Sequence, residues 1–248
     1  MISLALCQFN PTVGALNKNA PRLLDYAQKA AQQKVTLILT PELSLCGYPL
    51  KDLVFDAGLL LACDWWLSWL SQETPIPMIV GAPFEGFNAA FWCYQGEVKL
   101  VARKRLLPNY QVFDERRYFR DAAEDGFHGF DWRGKKFGVT ICEDAWGEET
   151  FWPFGGYEVD PVQELAEDYQ VDFLINMAAS PFEQGKPKKR LEMFQRLAKR
   201  YAKPVVVVGQ VGANDGLIFD GGSVVLGKKG EVLIEAKAFQ EELITCKL

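Results

Sequence analysis

The chain has 248 residues, 49% hydrophobic and 24% charged, with 27 Lys and Arg against 32 Asp and Glu. That composition fits a globular protein with a substantial core and excludes a disordered chain, a collagen or a disulfide-stapled miniprotein. A net charge of −5 with no long basic stripe argues against a nucleic-acid partner, and a single histidine, His128, argues against the usual catalytic zinc sites.

The opening MISLALCQFNPTVG has no basic leader, and its apolar run of about seven residues is short for an export signal. The sequence predicts strands over Ile2–Phe9 and Val35–Thr40, with an amphipathic helix over Lys18–Lys34 between them. A second helix follows over Ala57–Ser71, where Trp65, Trp66 and Trp69 are spaced to form a core face. That stretch is broken by Asp64 and falls short of the ~20 residues of a membrane span. Strands are then expected at Met78–Ala82, Ala90–Tyr94, Val98–Arg103 and Phe137–Cys142, a helix at Asp160–Tyr169, and strands at Val171–Met177 and Pro204–Gly209. Between the last two lies a helix over Pro187–Ala202, with Leu191, Phe194, Leu197, Ala198 and Tyr201 on one face and Pro187 in its first turn. Strands at Gly222–Leu226, Val232–Ala236 and Glu242–Lys247 close the chain.

VTLIL, DFLIN and PVVVVG are continuously apolar, the pattern of strands covered on both faces. The expected fold is a mixed-sheet α/β domain over residues 1–248, with no internal boundary. The six cysteines form no C-x-x-C pair and read as free thiols of a soluble, cytoplasmic protein.

Chemistry-bearing residues cluster in three segments. In KKFGVTICEDAWG, Cys142 stands where a strand ends, so its sulfur can rise above the sheet while following N–H groups face an oxyanion. The same residue also reads as a small buried apolar side chain. The other five cysteines read as structural. His128, in DGFHGF, reads as a solvent-facing loop residue rather than a base, which leaves carboxylates and amines as partners. In VTLILTPELSLCGYP, Glu42 follows a strand's C-terminal end, where open α/β sheets gather ligands; it is otherwise a loop acid in water. In LVARKRLLPNYQVFDERRYF, Lys104 ends a strand and precedes Tyr110, Phe113 and Glu115; alone it reads as a solvated cation.

Taken together and in order, these segments resemble the nitrilase (carbon–nitrogen hydrolase) superfamily. LPNYQVFDERRYF, TICEDAW, INMAASPFEQGKPKKR and VGANDGLIFDGGS, with LALCQFNPTVGALNKNAPRLL and PELSLCGYPLKDL, are similar to the N-terminal glutaminase domain of glutamine-dependent NAD synthetases. The resemblance runs over essentially the whole chain and implies a four-layer αββα sandwich. It also implies a Glu42–Lys104–Cys142 triad acting through a thioester, with no metal and no cofactor. Substrate-binding positions carried over are Tyr110, Glu143, Trp146 and Ser180, with Glu115 as a second glutamate beside the triad. Lys186 and Arg190 match positions able to meet a substrate α-carboxylate, or form a solvated basic run.

The chain departs from the pattern at Leu50 and Lys51, at Gln111 where glycine is usual, and at Asn214 and Gly216. It also carries no S-G-G-x-D-S loop of an ATP-using synthetase domain. The resemblance implies hydrolysis of the glutamine side-chain amide, with the ammonia going to another polypeptide such as a separate synthetase, to another acceptor, or to solution. Two alternatives are an ω-amidase-like activity on another small carboxylated amide, and a non-catalytic glutamine-sensing subunit. The family also implies a homo-oligomer; no membrane partner is expected.

Overall fold

The computed structural model describes residues 2–122, 128–147 and 157–248. Two six-stranded mixed sheets face each other. The first has strand order β14-β1-β2-β3-β4-β5, from β1 (Ser3–Gln8), β2 (Leu37–Leu39), β3 (Met78–Phe84), β4 (Phe87–Tyr94), β5 (Glu97–Arg103) and β14 (Glu242–Lys247). The second has strand order β13-β12-β9-β8-β7-β6, from β6 (Gly129–Trp132), β7 (Lys135–Ile141), β8 (Phe173–Ala178), β9 (Val205–Gly209), β12 (Val224–Leu226) and β13 (Val232–Glu235). A hairpin, β10 (Val211–Asn214) with β11 (Leu217–Asp220), stands apart. The centre of each sheet is parallel, β1-β2-β3 in one and β7-β8-β9 in the other, and antiparallel strands flank it.

Strand alternation explains the four layers. Leu4, Leu6, Leu37, Leu39 and Ile79 point from the first sheet into a shared core that Val139, Ile141, Ile175, Met177, Val206 and Val208 enter from the second. The intervening Ala5, Cys7, Ile38, Met78 and Val80 face outward under helices α1 (Leu16–Gln32) and α2 (Ala57–Glu73). Leu174, Val205 and Val207 face outward under α4 (Lys186–Tyr201) and the short helix α3 (Pro161–Gln163). Both faces of each central strand are therefore dry, which is why the runs carry no polar alternation. The αββα sandwich matches the expectation.

Three local expectations are corrected. The Asp160–Tyr169 helix is one α turn, capped by Asp160 on the Val162 and Gln163 N–H groups, which widens into a π turn over Glu164–Asp168. Trp66 and Trp69 pack on the core, but Trp65 is 58% exposed, edge-on to Trp66. Helix α2 is apolar around most of its circumference, so spacing alone does not choose its inner face. His128 is buried rather than solvent-facing, and its carbonyl accepts the Val139 N–H at 3.0 Å. Among the described residues no helix is long and apolar enough to cross a membrane, and all six cysteines are free thiols.

Phe137 lies fully buried between the sheets, stacked on Phe130 (5.0 Å between centroids) and Phe173 (4.9 Å). Phe137→Ala is expected to cost about 3–5 kcal/mol, read as a lower urea midpoint at unchanged slope.

Candidate active site

Both sheets deliver side chains to one place, at the C-terminal ends of their parallel strands. Glu42 lies just past β2, Lys104 just past β5, Cys142 just past β7 and Ala179 just past β8. Glycine at position 81 lets the Glu42 loop rest on β3. A Cβ there would stand 2.4 Å from the Leu43 nitrogen and 2.7 Å from the Pro41 oxygen. The loop is then pinned by Leu45 N–H to the Gly81 carbonyl (3.0 Å) and by the Ser44 hydroxyl, which accepts the Gly81 N–H (3.2 Å).

Glu42 is 1% exposed, so it is no loop acid in water. Its Oε1 accepts from Lys104 Nζ and from Asn88 Nδ2, both at 2.7 Å, and its Oε2 accepts the Ala179 N–H at 2.9 Å. Lys104 is completely buried between Glu42 and Glu115. Its Nζ lies 2.8 Å from both Glu115 oxygens, with the directed bond to Oε1. Tyr48 also donates to that oxygen, at 2.8 Å. Burial works against the Lys104 ammonium, but Glu115 and Glu42 more than offset it and hold its pKa well above the ordinary lysine value. Burial pushes the Glu115 carboxyl up to about 7; Lys104 opposes that shift and Glu42 reinforces it.

Cys142 opens a 3₁₀ turn (Cys142–Trp146) directly after β7, with a left-handed backbone, φ +48°. A non-glycine residue held there costs of order 1–3 kcal/mol and marks a constrained site. Asn176 Nδ2 anchors the turn by donating to the Cys142 carbonyl (3.2 Å) and to the Thr140 hydroxyl (3.0 Å). Burial, followed by the charge of Glu42, raises the Cys142 thiol well above its ordinary value, with Lys104 pulling the other way. The resting sulfur is a thiol.

Beyond Glu42, Lys104 and Cys142, Tyr110 donates to Glu143 at 3.0 Å and Tyr157 does so at 2.8 Å. Burial raises the Glu143 carboxyl, and the two tyrosine hydroxyls oppose that shift. Lys186 is partly buried, with its Nζ 5.6 Å from the centre of the Phe113 ring, and burial lowers its pKa while the Glu143 carboxylate favours the ammonium. Ser180 is buried two residues past the end of β8. Arg190, the other basic candidate, is neither solvated nor free. It is buried and paired to Asp220 at 2.6 and 3.1 Å. Trp146 packs on the outer cluster beneath α3 and α4, away from the sheet interface.

Asn88, Tyr48, Asn176 and Tyr157 were not anticipated. Tyr48 had a signal, since it shares the PELSLCGYP segment with Glu42; Tyr157 had none. Three of the five departures from the pattern share one cavity. Leu50, Lys51 and Gly216 line a cavity of about 330 Å³ behind Glu115, where Lys51 pairs with Asp215. Gln111 holds a left-handed backbone, φ +51°, at the place where glycine is usual. Among the described residues no His, Cys, Asp or Glu cluster could hold a metal ion.

Residues 3–248 match the family model of carbon–nitrogen hydrolases. The chain belongs to the carbon–nitrogen hydrolase family. It is 40% identical to the glutamine-dependent NAD(+) synthetase of Synechocystis sp., over 98% of this chain and 45% of that one. It is 37% identical to the Acinetobacter baylyi protein of the same name, over 97% of this chain and 43% of that one. The structure of the glutamine-dependent NAD+ synthetase of Acinetobacter baumannii, solved with ADP, superposes with a TM-score of 0.88 at 35% identity, over 98% of this chain and 45% of that one. An amidase of Nesterenkonia AN1 shares the fold, with a TM-score of 0.83 at 22% identity, over 100% of this chain and 90% of that one. The chain spans less than half the length of the synthetases it matches. It is a carbon–nitrogen hydrolase enzyme.

The raised Glu115 pKa has a thermodynamic consequence. The native state binds a proton that the unfolded chain has released, so stability falls as pH rises through about 7. The loss runs from about pH 4.5 to about pH 7, so thermal unfolding across that range is expected to show the decline, and Glu115→Gln to reduce it.

Proposed function

We propose that this chain hydrolyses the side-chain amide of L-glutamine to glutamate and ammonia. The observation that carries the reading is the pairing of two opposite charges beside one buried nucleophile. The carboxylate of Glu143, the residue after Cys142, accepts from the Tyr110 and Tyr157 hydroxyls and is favoured in its charged form by the Lys186 ammonium. A carboxylate with two tyrosine hydroxyls fits an α-ammonium, and a partly desolvated lysine fits an α-carboxylate. Glutamine brings both groups on the carbon that carries its amide chain. The likeness to proteins named glutamine-dependent supports the same substrate.

In this reading Glu42 is the general base. Its Oε2 carries only the Ala179 N–H bond and keeps a lone pair for the Cys142 proton. As that proton moves, the sulfur attacks the amide carbon. Lys104 and the Glu143 backbone N–H stabilise the oxyanion. The intermediate collapses when Glu42 returns the proton to the departing amide nitrogen, which releases ammonia and leaves a γ-glutamyl thioester. Glu42 next takes a proton from water, the resulting hydroxide adds to the thioester carbonyl, and the sulfur leaves with that proton as glutamate forms. A separate ammonia-using synthetase is the acceptor this chemistry would serve.

The ω-amidase-like alternative differs at Glu143, because a substrate without an α-amine leaves that buried carboxylate unmatched. Purified protein is expected to release glutamate and ammonia in equal amounts, and Cys142→Ala to release none. Glu143→Gln should lower kcat/KM for glutamine by about 10²-fold or more while changing turnover of a simple ω-amide far less. A wild-type preference for the simple amide would favour the alternative. Glutamine binding without turnover, even with a synthetase present, would favour a sensor.

A further inference from the structure

Lys104 and Cys142 stand at the ends of strands in different sheets, so no strand ladder fixes their separation. One side chain spans the gap. Asp144 Oδ1 accepts the N–H groups of Arg105 (2.9 Å) and Leu106 (2.8 Å), the two residues after Lys104. Its Oδ2 accepts the N–H of Ile141 (2.9 Å), the residue before Cys142. Asp144 is 1% exposed, so these bonds face no competing solvent. We propose that Asp144 is a positioning residue, whose carboxylate sets the distance and angle between the Lys104 ammonium and the Cys142 thiol. The inference rests on the triad reading above and deepens it.

The arrangement requires an acceptor-only group. Three backbone donors converge from two directions, and an ionised carboxylate can face all of them. An amide cannot: its NH₂ would meet either the Ile141 N–H or the Arg105–Leu106 pair, donor against donor. Burial pushes the Asp144 carboxyl up to about 6, with the three N–H groups and Lys104 opposing, so the group is ionised at neutral pH. The neighbouring charges are occupied elsewhere. The Arg105 guanidinium makes a two-pronged contact with Glu164, at 2.5 and 3.1 Å, and Lys104 lies between Glu42 and Glu115. Asp144 is thus free to hold backbone on both sides.

The test uses Asp144→Asn with two readouts at neutral pH. The first is kcat and KM for glutamine. The second is the rate at which iodoacetamide alkylates Cys142, followed by mass spectrometry, which does not depend on the identity of the substrate. We expect kcat to fall about 10²-fold with KM within about twofold, and alkylation to slow in parallel, in a protein that still unfolds cooperatively. A folded Asn variant with unchanged kcat, a loss confined to KM, or an unchanged alkylation rate overturns the proposal. Should the Asn variant not fold, Asp144→Ala assayed with and without formate replaces it. Recovery of both rates by the added carboxylate supports the positioning role. No recovery, or failure of this variant to fold as well, makes Asp144 a folding residue and overturns it. The two readings fail separately. A wild-type Cys142 that alkylates no faster than the other thiols sinks the triad, whereas a fast wild-type rate preserved in the Asn variant sinks only the positioning role.

Discussion

The arrangement at the sheet ends depends on one buried cation. An ammonium removed from water costs several kcal/mol even after the protein relaxes, and only close, well-directed partners offset that. Lys104 has two carboxylates, and each is itself held. Glu42 takes bonds from Asn88 on β4 and from the Ala179 backbone, and Glu115 takes one from Tyr48. These partners come from both sheets and from the loops that leave them. The sandwich is therefore a condition for the cluster, because neither sheet alone brings β2, β5 and β8 ends together.

The same cluster decides the state of the cysteine. Two carboxylates against one ammonium leave a negative surplus, which burial turns into a raised pKa at Glu115 and a firmly protonated thiol at Cys142. This differs from enzymes whose cysteine rests as a thiolate beside a cation. A cysteine in such surroundings becomes a nucleophile only while a nearby base is taking its proton. On the glutaminase reading, that couples attack to proton transfer. The left-handed backbone at Cys142 belongs with this design, since it turns the chain sharply enough for the next N–H groups to follow the sulfur.

Some of this was legible in the sequence and some was not, for reasons that differ by residue. The central strands could be read because burial on two faces removes polar alternation from VTLIL, DFLIN and PVVVVG. The π turn after Asp160 could not, because its inward residues, Leu165 and Ala166, keep a spacing that an ordinary helix would share. Trp65 was misplaced because an apolar helix gives no vector. Glu42, Lys104 and Cys142 were ambiguous one by one, and only their order across separated motifs made them a proposed triad. Lys186 and Arg190 lie in one basic run, and nothing local shows that the first lies over the Phe113 ring and the second pairs with Asp220. Asp144 is hidden for a further reason. Its partners are backbone N–H groups, which any sequence supplies, so no residue type announces the contact.

On the glutaminase reading, charge balance links the buried cluster to the choice of substrate. With a proton on Glu115, the carboxylates of Glu42 and Glu143 are matched by the ammonium groups of Lys104 and Lys186. A zwitterionic amino-acid head group adds no net charge to such a pocket, and each of its ends meets an opposite charge. A substrate with only a carboxylate would add a negative charge to a site already raising the pKa of its acids and would bring no cation to the Glu143 carboxylate, whose hydrogen-bond partners are two neutral tyrosine hydroxyls. That surplus would be felt at Cys142, whose thiol is already held in its protonated form by neighbouring carboxylates. On the glutaminase reading, head-group recognition and thiol activation are thus governed by the same electrostatic balance, although Glu143 and Lys186 take no part in the bond-breaking steps.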